Sequence, residues 1–489
     1  MAIFDTNITK GARAGHARTP LALALLSTAA LAGCAVGPKY APPAAPSEQA
    51  YTAQPATDLA SAGPGQPEQT ITMDAPSRSD WWTLFGSPEL NQTVALALAN
   101  NRTLEAAQGH LASAAEQIAV ARGGLFPQID AAAGVSGNQY GTSFLGPEAF
   151  TFPRFGAYSA GAAISYDPDA FGGVHRSIEF ASANAAAQRE ALNAARINVA
   201  GDAVVEALQI ASLRAQIDVV QAVLASDQKT FDLVETAHAA GVASQVDVTT
   251  AQSQLDHDRT LLPPLRQELN LAQDALPILV GKAPADWTAP DFALDQLTLP
   301  GDLPVTAPSS LVRQRPDIRA AEARLHAASA AVGMATADLY PRFTLSGTVA
   351  EQGLLTGPAG VAWGLIGGLA APVFHGGALT AHKRAAEDDY RAAYADYQQT
   401  VLLSFRQVAD SLHALSNSAD DVSAQQRAFN SADTALRLTR LGYGVGNAGI
   451  IQVLDAQRLR QVAELGLVQA RTQRSLASVR LFIAMGGVS

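Results

Sequence analysis

Leu125-Phe126-Pro127 and Leu339-Tyr340-Pro341 are one tripeptide pattern met twice, and the offset of 214 between them decides how the rest of the chain is read. At that offset Leu104, Ala106, Ala107, Leu111, Ala114, Ile118 and Ala121 fall on Ile318, Ala320, Ala321, Leu325, Ala328, Val332 and Ala335. Further on, Pro168 with Gly172-Gly173 matches Pro372 with Gly376-Gly377 at 204, so the first copy holds ten extra residues between the two anchors. Gly241 with Ala251-Gln252 then matches Gly446 with Ala456-Gln457 at 205. Two copies of one unit make up most of the chain.

Each copy reads as helix, hairpin, very long helix, tight break, helix. Residues 378–441 contain no Gly or Pro, and Tyr390, Tyr394, Tyr397, Val401, Phe405, Val408, Leu412 and Leu415 follow the helical period along one face. The polar run 417–426 is a place where this helix could break. In the first copy 174–240 holds only Gly201 as a weak point, and Ile210, Leu213, Ile217, Val220 and Leu224 alternate by threes and fours, the spacing of a coiled-coil seam. Such stripes require partner helices.

Residues 128–167 and 342–372 read instead as β-hairpins. Tyr158, Ala160, Ala162, Ile164 and Tyr166 alternate with Ser159, Gly161, Ala163 and Ser165, and Phe343, Leu345 and Val349 alternate with Thr344, Ser346 and Thr348. A tilted strand crosses a bilayer in about 9–11 residues, the length of these runs. The charge-free stretch 352–374 is long enough for a membrane helix, but its six Gly and two Pro disfavour one by several kcal/mol in propensity. A loop and a glycine-bearing strand accommodate it.

The chain has 489 residues, is 48% hydrophobic with only 6% aromatics, and carries a net charge of −11, which removes the basic footprint of a nucleic-acid binder. Lys10, Arg13 and Arg18 precede an apolar run that ends in Leu31-Ala32-Gly33-Cys34. That tetrapeptide has the pattern of a bacterial lipobox. Cleavage between Gly33 and Cys34 makes the only cysteine a lipid anchor; the alternative is a plain signal peptide with an incidental thiol. Ala35 in second place, rather than Asp, favours the outer membrane of a Gram-negative cell. The division of the chain is therefore a leader 1–33, an extended Pro-rich anchored segment 34–80, a first repeat 81–276, a Pro-rich linker 277–310 and a second repeat 311–489.

Four strands per chain cannot close a transmembrane barrel, and open sheet edges cannot face lipid. The chain must therefore oligomerise. Two copies give eight strands and three give twelve, and the wider barrel better leaves an open lumen.

Four motifs carry a resemblance over nearly the whole chain. They are Cys34-Ala35-Val36-Gly37-Pro38-Lys39-Tyr40, Trp81-Trp82-Thr83-Leu84-Phe85-Gly86-Ser87-Pro88-Glu89-Leu90, Arg315-Pro316-Asp317-Ile318-Arg319-Ala320-Ala321-Glu322-Ala323-Arg324-Leu325, and Tyr443-Gly444-Val445-Gly446 with Val453-Leu454-Asp455-Ala456. With them the chain resembles the TolC-like outer-membrane factors, in the NodT or OprM-like lipoprotein branch. The resemblance implies an α+β membrane protein, with duplicated long helical hairpins forming a coiled-coil tunnel in the periplasm. Four transmembrane strands per chain would form a shared twelve-stranded barrel in a homotrimer. It also implies passive export in a tripartite system with a periplasmic membrane-fusion adaptor and an inner-membrane pump of the RND type.

The tips between the long helices, 240–248 and 442–454, are expected at the periplasmic end. There the resemblance points to Gly241, Val242, Gly444, Val445 and Gly446 as adaptor-docking residues, against the plain alternative of structural turns. It points to Asp455 and Tyr443 as parts of a periplasmic gate. Gln452 stands where many members have a first aspartate and Ala448 where some have a tethering arginine, while Asp247 holds the place of Gln452 in the other copy. Asp455 also has the ordinary reading of a solvated turn residue.

No HExxH, GxSxG or P-loop pattern occurs, so we expect no enzyme, metal or cofactor. Trp81 and Trp82 are read as packing residues rather than a ligand cage, and His375, whose counterpart is Phe171, as a turn residue. The competing function is a lipid-anchored coiled-coil adaptor without a pore.

Overall fold

The computed structural model describes residues 35–44, 46–48, 50–52, 59, 67–75, 78–139 and 154–487. The leader 1–33, Cys34 and the turn of the first hairpin, 140–153, lie outside them. The chain begins with β1 (Thr70–Met73), a short 3-10 turn at Trp81–Phe85, α1 (Pro88–Asn100) and α2 (Arg102–Gly123). There follow β2 (Gln128–Asn138), β3 (Phe155–Tyr166), α3 (Gly173–Ala239), α4 (Gln245–Arg259) and α5 (Leu262–Leu279). The linker holds β4 (Asp302–Val305), and after it come α6 (Pro308–Gln314), α7 (Pro316–Ala337), β5 (Arg342–Leu354), β6 (Ala359–Ala370), α8 (Ala378–Gly444) and α9 (Ile450–Ala484).

Two compact units divide these elements, and each takes segments from both copies. One holds 116–182 and 327–390 with the described part of 1–40. Its centre is an antiparallel sheet in the order β2-β3-β5-β6. The two hairpins meet where β3 pairs with β5, from Ala157 opposite Leu354 to Tyr166 opposite Leu345. Within each hairpin the register is that of alternation, Ile129 opposite Ile164 and Val349 opposite Trp363. Strands β2 and β6 are left as edges. Val135, Val361, Trp363, Leu365 and Leu369 stand more than 60% exposed on this sheet, an apolar surface that a water-soluble sheet would bury.

The other unit holds the core. Trp81 is 1% exposed and stacks on Phe482, ring centroids 5.3 Å apart, with Phe85, Leu90, Leu208, Ile210 and Leu476 around them. The Trp-Trp motif is thus a packing element. Strand β1 lies parallel to β4, Thr70 opposite Asp302. Gln69 beside it donates to the Pro300 carbonyl at 3.0 Å and to Ser478 Oγ at 2.9 Å, and accepts from Arg474 Nε at 2.8 Å. Part of the anchored segment is therefore fixed to α9. Residues Phe292, Leu297 and Leu303 of the Pro-rich linker join the same core.

The motif that starts α7 also has a local physical role. Arg315 donates to the Ala484 carbonyl at 2.8 Å, where α9 leaves its last carbonyls free, and is itself held by Asp317 at 2.8 Å and by Gln407. Arg319 reaches the buried Glu190 of α3 at 2.8 Å.

One expectation is corrected. The polar run 417–426 does not break the long helix: α8 is continuous, because Leu415, Ala419 and Val422 are 1% exposed or less and carry its buried stripe through the run. The break falls instead in the first copy's return helix. There Pro263 and Pro264, which cannot donate to the preceding turn, open α5 just after α4 ends. The second copy has no such prolines and α9 is unbroken.

Candidate functional site

The two tips are built by one backbone recipe used twice. In the first, α3 ends in a residue that must turn left-handed: Gly241 has φ +75°. Its N–H returns to the His238 carbonyl at 2.8 Å, and the Val242 N–H to the Ala237 carbonyl at 2.9 Å. In the second, Gly446 has φ +80°, its N–H meets the Tyr443 carbonyl at 3.0 Å and the Asn447 N–H meets the Gly442 carbonyl at 2.8 Å. These are paired hydrogen bonds that close a helix C-terminus through a left-handed residue. Each partner lies 205 positions from its counterpart.

The return helices start differently. Ser244 and Asp247 cap α4 reciprocally: the Ser244 N–H and hydroxyl donate to Asp247 Oδ2 at 2.9 and 2.7 Å, and Ser244 Oγ accepts from the Asp247 N–H at 3.2 Å. The Ser244 hydroxyl, then its backbone N–H, hold the Asp247 carboxyl below the ordinary range. At α9 only one arm exists, the Gly449 N–H donating to Gln452 Oε1 at 2.5 Å. Asp247 and Gln452 are therefore equivalent caps, one charged and one neutral.

Beneath the tips lies one small core of Val234, Ala251, Leu436, Ile450, Val453, Leu454 and Ala456, against which Phe231, Val248 and Tyr443 pack half-buried. It brings both copies together. Outward from it Val242, Val445 and Val246 are 83%, 73% and 69% exposed, and Ile451, Leu459 and Val462 are exposed on α9. Gln452 and Asp455 lie exposed on that helix, and among the described residues Asp455 has only Arg458 as an ion partner, at 3.9 Å. Gly444 is the last residue of α8, with open space where a Cβ would stand.

A polar layer that we did not anticipate from the sequence lies beside this core. Asp227 of α3 and Asp258 of α4 are 3% and 2% exposed. Asp258 accepts from Gln254 at 2.7 Å and from Gln461 of α9 at 3.2 Å. Gln457 donates to Ser226 and Thr230 at 3.0 and 3.1 Å, and Arg440 of α8 donates to Ser226 at 2.6 Å. Burial, then the Asp258 carboxyl beside it, push Asp227 up to about 7. The signal was present: Val220, Val223, Asp227, Thr230 and Val234 step by threes and fours, so an aspartate occupies a seam position.

The sheet-bearing unit holds the residues that follow Cys34. The Val36 N–H donates to the Phe171 carbonyl at 3.1 Å, and Arg176, 6% exposed, donates to the Val36 and Gly37 carbonyls at 3.1 and 3.3 Å while Glu179 pairs with it at 2.6 Å. Ala35 packs on Gly172. The residue next to Cys34 is thus fixed where β3 gives way to α3. Among the described residues no three His, Cys, Asp or Glu side chains gather as a metal site, and no helix is long and apolar enough to cross a membrane.

The family described as outer membrane efflux protein matches residues 93–282 and 307–487, the two copies. The chain is 30% identical over 474 residues to the outer membrane protein OprJ of Pseudomonas aeruginosa, covering 95% of each. It is 29% identical over 463 residues to nodulation protein T of Rhizobium leguminosarum, covering 94% of this chain and 91% of that one. Among solved structures, the outer-membrane channel OprN superposes with a TM-score of 0.82 at 26% identity, over 93% of this chain and 99% of the other.

Proposed function

The chain belongs to the outer membrane efflux protein family, and from that membership we propose that three copies form the exit duct of a tripartite export system, carrying small molecules passively out of the cell. It is an outer-membrane efflux channel protein, which removes the pore-less adaptor as an alternative. The observation that carries the oligomer is the sheet β2-β3-β5-β6, whose two edges have no partner among the described residues. Strand edges left in lipid forfeit hydrogen bonds at several kcal/mol each. Three sheets joined edge to edge remove every edge and close twelve strands around an open lumen.

Cys34 is the lipid anchor in this reading, cleaved free after Gly33, and residues 35–37 that follow it are clamped at the strand–helix boundary. The tips face the periplasm, where Gly241, Val242, Gly444, Val445 and Gly446 receive an adaptor hairpin. The exposed valines support this, since unpartnered apolar tips mark a protein contact. Asp455, Tyr443, Asp247 and Gln452 form the gate. Three exposed Asp455 carboxylates brought to one axis repel one another and hold cations there, while the lowered Asp247 keeps its charge. The inner-membrane pump, of RND type, supplies the driving force, and the duct performs no catalysis. Planar-bilayer recording of the purified, acylated protein tests the duct: stepwise conductance is expected, and its absence from inserted, folded trimers overturns it.

A further inference from the structure

The buried layer between α3, α4, α8 and α9 contains two carboxylates where an apolar seam would pack better. Asp258 is satisfied as an ion by two amide donors, Gln254 and Gln461. Asp227 is not: its Oδ2 is buried without a hydrogen bond, and so is Oε1 of Gln457. These are two acceptors with no donor. A proton on Asp227 turns one of them into a donor and removes one of two like charges from a water-poor site.

The surrounding charges do not replace that proton. From α8, Asp433, Arg437 and Arg440 line the adjoining cavity, and from α9 Arg460 does. Arg460 is engaged by Asp433 at 2.8 Å and Glu464 at 2.9 Å, and Arg440 is exposed and spends its contact on the Ser226 hydroxyl. On Asp227's own helix the nearest cation, Lys229, is exposed. From α4 Asp258 faces it, and Arg259 reaches across to the same helix but is spent on Gln228 Oε1 at 3.2 Å and on Asp256 at 2.8 Å. Arg440 opposes the rise of Asp227, but burial and Asp258 outweigh it.

We propose that Asp227 and Asp258 form a one-proton latch that keeps the two helices of the first tip packed together and, through Gln457 and Gln461, keeps α9 with its Asp455 against them. The latch rests on the reading of the tips as a gate. With the proton bound, the two carboxyls hold α3 to α4. When it leaves, two buried anions face each other across the hairpin that ends at Gly241, and separation lets water reach both. Gln457 lies two residues from Asp455, so release of the layer frees the gate-bearing stretch of α9.

The sign follows from the raised value. A carboxyl at about 7 when packed and near 3.8 when released binds its proton more tightly in the packed state. Packing is therefore fully favoured below 3.8, weakens as pH rises through this window, and is constant above about 7. Each pH unit inside the window changes the packed-to-released ratio by up to about tenfold per site.

The test uses the full-length acylated trimer in planar bilayers from pH 5 to 8, as the parent, Asp227→Asn and Asp455→Ala. Asparagine keeps the size and a donor but cannot ionise. The parent's open probability is expected to rise at least about tenfold over this range, and Asp227→Asn to stay at the parent's low-pH level throughout. Infrared titration should show one protonated carboxyl lost near neutral pH in the parent and missing in Asp227→Asn, whatever the pore does. A parent-like pH response in Asp227→Asn, or no such carboxyl, overturns the latch. Asp455→Ala distinguishes the two readings: without effect at any pH it removes Asp455 from the gate and the latch's output through it, whereas an effect there beside an unchanged Asp227→Asn overturns the latch alone. If Asp227→Asn does not assemble, Asp258→Asn takes its place: burial still raises Asp227 there, so its pH response is expected to be weaker than the parent's and to move to lower pH, and a response equal to the parent's overturns the latch.

Discussion

Gly37 and Gly333 meet backbone to backbone: a Cβ on Gly37 would stand 2.6 Å from the Gly333 Cα. Gly37 also has φ +93°, a conformation that side chains resist, and a Cβ on Gly333 would stand 2.7 Å from the Arg176 guanidinium stem. The contact ties the stretch behind the anchor to the start of α3 and to α7 of the second copy. Gly333→Ala is expected to cost about 1–3 kcal/mol of local packing and to free residues 35–44, read as new protease cutting there. Protection equal to the parent's would mean that Arg176, Phe171 and Gly172 hold the segment without the Gly37–Gly333 contact.

The tip glycines separate by backbone. Gly241 and Gly446 sit at φ +75° and +80°, so alanine at either costs roughly 1–2 kcal/mol in a left-handed conformation. Gly444 is helical with open space around it, and alanine there adds up to about 1 kcal/mol of helix propensity. Amide hydrogen exchange at 237–248 and 442–453 checks this: faster in the first two variants at their own tips, slower in Gly444→Ala. A Gly444→Ala variant that loses adaptor binding while its tip becomes more protected would place that glycine in the docking surface, because its fold would be intact.

Trp81 stacks on Phe482 with the rings 9° from parallel, and both are almost fully buried. Trp81→Ala is expected to destabilise the core unit by about 3–5 kcal/mol, seen as a lower denaturant midpoint. Trp81→Phe, which keeps a ring, should recover most of it. A ligand-cage role predicts the opposite pattern, little loss of stability and a loss of binding.

The duplication made most of this fold readable, because Gly241 and Gly446, at an offset of 205, and Gly173 and Gly377, at 204, punctuate two otherwise featureless helical runs. Strands β3 and β5 were legible from alternation, since each side chain takes the opposite face from the last. The pairing of β1 with β4 was not: four residues each, 232 positions apart, carry no period, and their partnership is fixed by Gln69 and Ser478 far along the chain. The continuity of α8 was hidden by the surface. Of the polar run's residues, Ala419 and Val422 alone face the core in full, and composition averages them away. Asp227 was overlooked for a related reason: in one dimension a seam aspartate looks like any solvated acid, and only the arrival of Asp258 and Gln457 from other helices gives it a different chemistry.

The gate residues can be tested without disturbing the fold, and the structure says why. Asp455 is exposed and its only ion pair among the described residues, with Arg458 at 3.9 Å, joins side chains 64% and 58% exposed, a contact that water screens. Asp455→Ala should therefore leave stability within about 0.5 kcal/mol of the parent. Tyr443 packs half-buried on the core beneath the tips, and Tyr443→Phe keeps that ring and removes only the hydroxyl. Any change in single-channel behaviour of the double variant then reports on the aperture rather than on unfolding. In the proposed gate, removing the Asp455 carboxylates and the Tyr443 hydroxyls should lengthen or enlarge the openings, with an unaltered melting temperature as the control. Conductance identical to the parent's keeps the duct and removes these two residues from the gate, leaving Asp247 and Gln452, whose side chains already cap their helices, as the positions where the aperture must be sought.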